Sequence, residues 1–311
     1  MSVLNLKNCL TCNSDQFRTL IETKAQMHPS ASTFQFEQCE NCQLVFLNPR
    51  LPLEQLKEYY TDYYLPYRGP KAWGKYEKQV ANSQQKLDQK RAQWLRKYHS
   101  VNSSTTILDV GCGKPTFLQT CAKQYNCRTI GIDFSDEGWK ANPSDYKDID
   151  LRVGEVKDLP QDLRPDIITM WHYLEHDYDP VETLKRLKSI AHDETTLIIE
   201  VPNYDSDSRK MFGPNWAGFH TPRHTFLFTP DTLTLALTKS GWKAQKINTF
   251  GTLDPYVLYW MSEMEQKGID WSQNMDAEFL NYVIGMIGFL PKRIESAKRS
   301  LGIMTGIASP A

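Results

Sequence analysis

ILDVGCGKPTFL at residues 107–118, followed by RTIGIDFS at 128–135, is the stretch that decides the fold. An apolar run closes on Asp109, and Gly111 and Gly113 bracket a single residue. Phe117, Leu118, Cys121, Ala122 and Tyr125 then fall on one helical face, and a second apolar run stops at an acid, Asp133. Strand, glycine turn, helix, strand, acid is a unit that holds a nucleoside beyond the carboxyl ends of two parallel strands. Glycine has no Cβ, so its backbone can turn tightly and approach a ligand closely. A carboxylate ending the second strand can accept hydrogen bonds from both ribose hydroxyls. The plainer alternative is a structural turn with no ligand.

A dinucleotide fingerprint, G-x-G-x-x-G, would need glycine at 116, where Thr116 stands. Asp109, at the strand's lip, is awkward beside a pyrophosphate and suits a cationic ligand. D-x-G-C-G resembles motif I of the class I S-adenosylmethionine-dependent methyltransferases, and Asp133 stands where their ribose-binding acid falls. The resemblance implies an α/β fold with a doubly wound, Rossmann-like, seven-stranded sheet, and S-adenosylmethionine as cofactor. It assigns cofactor contacts to Asp109, Gly111, Gly113 and Asp133. Glu155, in LRVGEVKDLP at 151–160, takes the place of the acid that meets the adenine amino group; a surface glutamate is the alternative. The family's third glycine is replaced by Pro115, which is tolerated in a first helical turn and biases Lys114 away from helix. The helix is therefore expected to begin at 115.

With 311 residues the chain can hold one large domain and a small one. Its 40% apolar content, with Trp 8 and Tyr 15, marks a packed globular protein. A net charge of −1 supplies no global field for nucleic acid, so none is expected as a partner. The basic run KLDQKRAQWLRK at 86–97 reads as a solvated helix face. The first residues carry no signal-peptide pattern, and FLNYVIGMIGFL at 279–290 is too short to span a bilayer. A cytoplasmic location without a transmembrane segment is the default expectation.

Cys9, Cys12, Cys39 and Cys42 read C-x2-C, 26 residues, C-x2-C. Two such pairs bring four thiolates to tetrahedral reach, the pattern of a structural Zn2+ site; disulfides or free thiols are the alternative. Four cysteines would close the shell and leave no water position for catalysis. Cys112, Cys121 and Cys127 read as small buried residues. The stretch CENCQLVFLNPRLPLEQLKEYYTDYY resembles the N-terminal zinc-binding segment of many bacterial methyltransferases.

The organisation expected is a zinc ribbon over 1–50, with strands at 33–39 and 43–49, and a helical connector over 51–100 broken by PYRGP at 66–70. A methyltransferase domain would follow over 101–311 with a helical insertion near 254–296. Strands at 105–110, 128–133, 150–153, 163–171 and 196–201 alternate with helices at 115–125, 135–141 and 179–192, the pattern of a parallel sheet. FTPDTLTLALTKSGW at 228–242 reads as a late helix. The aromatic tail 254–290 reads as a core helix, a cap over a bulky acceptor, or a homodimer interface.

Two clusters could carry chemistry. WHYLEHDYDP at 171–180 offers His172, Glu175 and His176. The H-x-x-E-H letters also spell an inverted zinc-protease signature, but no helix frames them. The segment resembles H-x-L-E-H of small-molecule methyltransferases, in which His172 would sit near the cofactor. EVPNYDSDSRKMFGPNWAGFHTPRHTFLFT at 200–229 reads as a long loop, of the kind that serves as a lid, carrying Trp216, Phe219, His220, Arg223 and His224. P-R-H resembles a loop of the same bacterial group. His224 is the first candidate base and His220 the second, with Glu175 and His176 as further candidates; a loop-pinning role is the alternative for either loop imidazole. The reading is methyl transfer to a small-molecule acceptor (sugar, nucleotide sugar, lipid or secondary metabolite), oxygen slightly preferred. The rivals are a catalytically silent zinc-ribbon module and a nicotinamide oxidoreductase.

Overall fold

The computed structural model describes residues 3–295 and 300–311. In chain order the strands are β1 Phe17–Lys24, β2 Thr33–Cys39, β3 Val45–Leu47, β4 Thr106–Val110, β5 Arg128–Asp133 and β6 Asp150–Val153. They continue with β7 Ile167–Trp171, β8 Thr196–Pro202, β9 Phe226–Leu227, β10 Trp242–Asn248 and β11 Ile303–Pro310. The chain divides into two compact units: one of residues up to Ser83 with Pro202–Thr232 and Thr249–Met304, the other of Gln84–Val201, Leu233–Asn248 and Thr305–Ala311.

The second unit is built on a seven-stranded sheet ordered β10-β11-β8-β7-β4-β5-β6. β4, β5, β6, β7 and β8 pair in parallel, while β10 and β11 pair antiparallel. From β4 the chain winds outward to β5 and β6 on one side, then returns to β7 and β8 on the other. β4 therefore borders the topological switch point, where ligands bind on such sheets. The doubly wound seven-stranded fold expected from the glycine turn is the one observed. Its central strands are apolar on both faces because helices cover both sides. Ile107, Leu108, Ile130, Ile167, Ile168, Leu197 and Ile198 are all buried. The helix Thr116–Tyr125 buries Phe117, Leu118 and Cys121, and Asn126 ends it in the left-handed conformation.

Two local expectations shift. The helix begins at Thr116 rather than 115, because Pro115 takes ψ 41°, outside helical geometry. Residues 135–141 form turns instead of a short helix. A Cβ on Gly138 would stand 2.2 Å from the Gly113 carbonyl oxygen, so this turn is packed hard against the glycine loop.

The first unit carries the four-stranded sheet β1-β2-β3-β9. β1 was not read from the sequence, and β9 lies far from its neighbours in the chain. Phe226 pairs with Phe46 and Leu227 with Val45. The expected loop over 200–229 is largely structured core. It holds helical turns at Asp207–Phe212, Gly213–Asn215 and Ala217–Phe219, and then β9. Trp216, Phe219, Arg223 and Phe226 are fully buried. At PYRGP the helical turn Leu65–Arg68 ends on Gly69 (φ 57°), and the turns of Gly69–Tyr76 lead into the helix Glu77–Tyr98. Between β10 and β11 lie the helices Pro255–Lys267, Phe279–Gly288 and Leu290–Glu295.

Candidate functional site

In the sheet-bearing unit, β4 ends at Val110 and the chain turns through Gly111 (φ 73°) and Gly113 (φ 47°). Gly111 is required twice: by its positive φ, and because a Cβ there would stand 2.3 Å from the Tyr173 ring. The turn is tied to the neighbouring strand by the Gly111 N–H, which donates to the Ile132 carbonyl at 2.8 Å. Asp133 then closes the unit. Its Oδ2 accepts the Gly113 N–H at 2.9 Å and its Oδ1 accepts the Ser135 N–H at 3.2 Å. Burial pushes this carboxyl's pKa up, against those backbone donors, which lower it. Each oxygen keeps lone-pair capacity for hydroxyls arriving at the strand end.

Asp109 is 4% exposed and accepts the Thr169 hydroxyl at 2.6 Å. Burial raises it to about 7, opposed by the Thr169 hydrogen bond and the Arg91 charge. A buried carboxylate of this kind gains most from a cation placed beside it. Glu155 caps the turn Val156–Asp158, with its carboxylate 2.6 Å from Lys157 Nζ on the surface. Phe134, next to Asp133, leaves 61% of its surface exposed; a large exposed aromatic beside the acid was a readable signal that the sequence reading passed over.

Beyond β7 the turn Trp171–Asp177 carries the other candidates. His172 sits at φ 57° with its N–H on the Glu200 carbonyl at 2.8 Å. Its Nε2 lies 3.2 Å from Glu200 Oε1 and its Nδ1 3.5 Å from Glu175 Oε1. Both carboxylates are essentially unexposed. Burial lowers the imidazole's pKa, but the two carboxylates outweigh it and hold it up at about 9. Arg91 reaches the same Glu200 oxygen at 3.8 Å and lies over the Trp171 ring at 4.7 Å. Thr305 adds a hydroxyl at 3.4 Å from Glu200. His176 is half-buried at the end of the turn Leu174–His176. Asp109, Gly111, Gly113, Asp133, Glu155, His172, Glu175 and His176 thus belong to one unit, at or just after the ends of β4, β5, β6 and β7. Arg91 and Glu200 were missed because neither stands in a motif.

His220 and His224 belong to the ribbon-bearing unit. His224 is buried, and its Nδ1–H donates to the Gly218 carbonyl at 2.8 Å. His220 packs on it at 4.6 Å between rings, with Nδ1 3.3 Å from the Tyr64 hydroxyl. Between them Arg223 donates to the carbonyls of Tyr59 at 2.7 Å and Gln26 at 2.6 Å, over the Tyr64 ring.

The four ribbon cysteines offer sulfurs that all lie within 4.8 Å of one another. Cys9 Sγ is 3.5 Å from Cys42 Sγ, and Cys12 Sγ is 3.5 Å from Cys39 Sγ. A tetrahedral ion with metal–sulfur bonds of about 2.3 Å requires sulfurs roughly 3.8 Å apart, so the set fits zinc.

Residues 77–247 match the family described as a methyltransferase domain. Among curated proteins, the chain is 34% identical over 110 residues to the mitochondrial ubiquinone biosynthesis O-methyltransferase of Candida albicans, covering 31% of this chain and 34% of that protein. It is 32% identical over 82 residues to a probable fatty acid methyltransferase of Pseudomonas putida, covering 24% of this chain and 21% of that one. The chain thus spans about a third or less of the length of these relatives. A solved 1,6-didemethyltoxoflavin-N1-methyltransferase of Burkholderia thailandensis, with S-adenosylhomocysteine bound, aligns at TM-score 0.50 and 12% identity over 88% of this chain and 98% of its own. The cyclase SpnF aligns at TM-score 0.50 and 14% identity over 72% of this chain and 80% of its own. At these identities the structural likeness speaks for the fold alone.

Proposed function

Because the chain belongs to the methyltransferase domain family, we propose that it transfers a methyl group from S-adenosylmethionine to a hydroxyl of a small, lipid-like acceptor. The observation that carries the cofactor reading is Asp133, a strand-end carboxylate fixed by the Gly113 and Ser135 N–H groups with lone pairs left for ribose. Asp109, buried and raised in pKa, is the natural seat for the positive charge of the methionine part. Gly111 and Gly113 allow the backbone to approach, and Phe134 offers a ring face for adenine, with Glu155 as the acceptor for its amino group. The cofactor, when bound, supplies a sulfonium methyl open to in-line displacement with a neutral leaving group.

What remains for the chain is alignment and removal of the acceptor's proton. His224 is our first choice for the base. Its Nδ1–H donates to the Gly218 carbonyl, which fixes the orientation of the ring. His220, His176 and Glu175 follow it. The lipid-like acceptor rests on the two curated relatives, whose names place their activity in ubiquinone biosynthesis and on fatty acids. A structural Zn2+ held by Cys9, Cys12, Cys39 and Cys42 completes the proposal.

The test is calorimetric titration with S-adenosylmethionine and NAD, followed by turnover with hydroxylated aromatic and lipid acceptors. Wild-type protein should bind S-adenosylmethionine and not NAD, and Asp133→Ala should weaken binding by roughly tenfold or more. His224→Gln should keep that affinity and lose turnover. Failure of folded wild-type protein to bind S-adenosylmethionine would leave the silent binding module, and NAD binding would leave the oxidoreductase.

A further inference from the structure

The helix Phe279–Gly288, FLNYVIGMIG, is apolar almost all round, with Asn281 as its one strongly polar side chain. A helix of that composition is ordinarily covered on every side. Here one side is covered: Phe279, Tyr282, Met286 and Phe289 pack on the core built around Trp73, Tyr256 and Trp260. The other side is not. Leu280 is 60% exposed, Ile284 68%, Ile287 59% and Leu290, just past the helix, 47%. Spacings of four, three and three residues align them as one stripe.

Cations bracket the stripe. At its start Tyr76 stacks on Phe279 at 3.9 Å, and Lys75 lies over the Tyr76 ring at 5.3 Å. At its end Lys292 lies over the Tyr259 ring at 4.4 Å and donates to its hydroxyl at 3.2 Å. Lys75 is exposed and Lys292 half-buried, each with its ammonium over an aromatic ring. The two ammonium groups thus place positive charge at both ends of the apolar stripe. Arg293 has a separate role, held by Asp254 at 2.7 Å.

We propose that this stripe docks on a lipid surface bearing anionic headgroups, with Leu280, Ile284, Ile287 and Leu290 entering the acyl boundary and Lys75 and Lys292 meeting the headgroups. The area argues against a second copy as the occupant. Four such side chains expose on the order of 400 Å2, so pairing two stripes would bury roughly 800 Å2, below the ~1,200 Å2 of stable interfaces. No helix among the described residues is long and apolar enough to cross a membrane, so the contact would lie in the interface plane.

The experiment is co-sedimentation of the full chain with vesicles of phosphatidylcholine alone and of phosphatidylcholine mixed with phosphatidylglycerol. Sedimentation velocity over a range of protein concentrations accompanies it. Wild-type protein should pellet with the mixed vesicles, less so at high salt, and Ile284→Glu with Ile287→Glu should lower the bound fraction roughly tenfold. Both positions face solvent, so the variant should keep the wild-type melting transition. If it does not, Ile284→Ser with Ile287→Ser carries the same reading. Wild-type protein left in the supernatant, a variant that pellets as well as wild type, or a dimer that the variant abolishes would each overturn the proposal. None of these outcomes depends on cofactor binding or turnover.

Discussion

His172 is a histidine whose two neighbours reverse the usual effect of burial. Taken out of water alone it would lose its proton more readily; between Glu175 and Glu200 it keeps it up to about 9. Its folded pKa thus stands above the ordinary 6.5. The stability it contributes is fully present below pH 6.5 and is lost as pH rises through about 9. Wild-type protein should lose on the order of 2–3 kcal/mol across that window from this group. Urea unfolding of His172→Gln between those limits should show a flatter profile, and an unchanged slope would remove the charged triad. Motif and residue type made Asp133, Gly111 and His172 legible in the sequence. The partners that set the imidazole's charge were not, because Arg91 and Glu200 come from distant elements and are brought to it only by the winding of the sheet.

At the scale of elements, the segment from Trp216 to Phe228 corrects a habit of reading. Its length, its Gly218 and its Pro222 suggest a mobile lid; its aromatics and Arg223 make it core. Arg223 is fully buried, with its guanidinium spent on two backbone carbonyls and the Tyr64 ring. Arg223→Met keeps the stem and removes the donors from both carbonyls, which should cost about 3 kcal/mol and be read as a lower thermal midpoint. A variant as stable as wild type would mean that the guanidinium holds nothing in place. Periodicity identified β4, β5 and the helix between them because each alternates or repeats within a few residues. β9 is only Phe226–Leu227, too short to carry a pattern, and its partner β3 lies far up the chain.

For the whole molecule, the two units share the eight tryptophans four to each: Trp73, Trp216, Trp260 and Trp271 in one, Trp94, Trp139, Trp171 and Trp242 in the other. The cysteine cluster belongs to the first, and its strand β2 sends Phe36 into that unit's aromatic core. Metal analysis should find one zinc per chain. Chelation should lower the melting temperature of the first unit and shift its tryptophan emission, while the sheet signal of the second persists. Retention of the full melting profile after complete metal removal would separate the cysteines from stability. Spacing made the cluster legible, but not that its sheet is completed by residues nearly two hundred positions later. The seven-stranded sheet closes in a similar way: β11 enters between β8 and β10. A ribosome that has produced every other strand still holds a sheet with an open slot beside β8, bordered by Glu200. Until Ile303–Pro310 has emerged from the ribosome that slot stays open, and a nascent chain carries an unfinished wall beside Glu200.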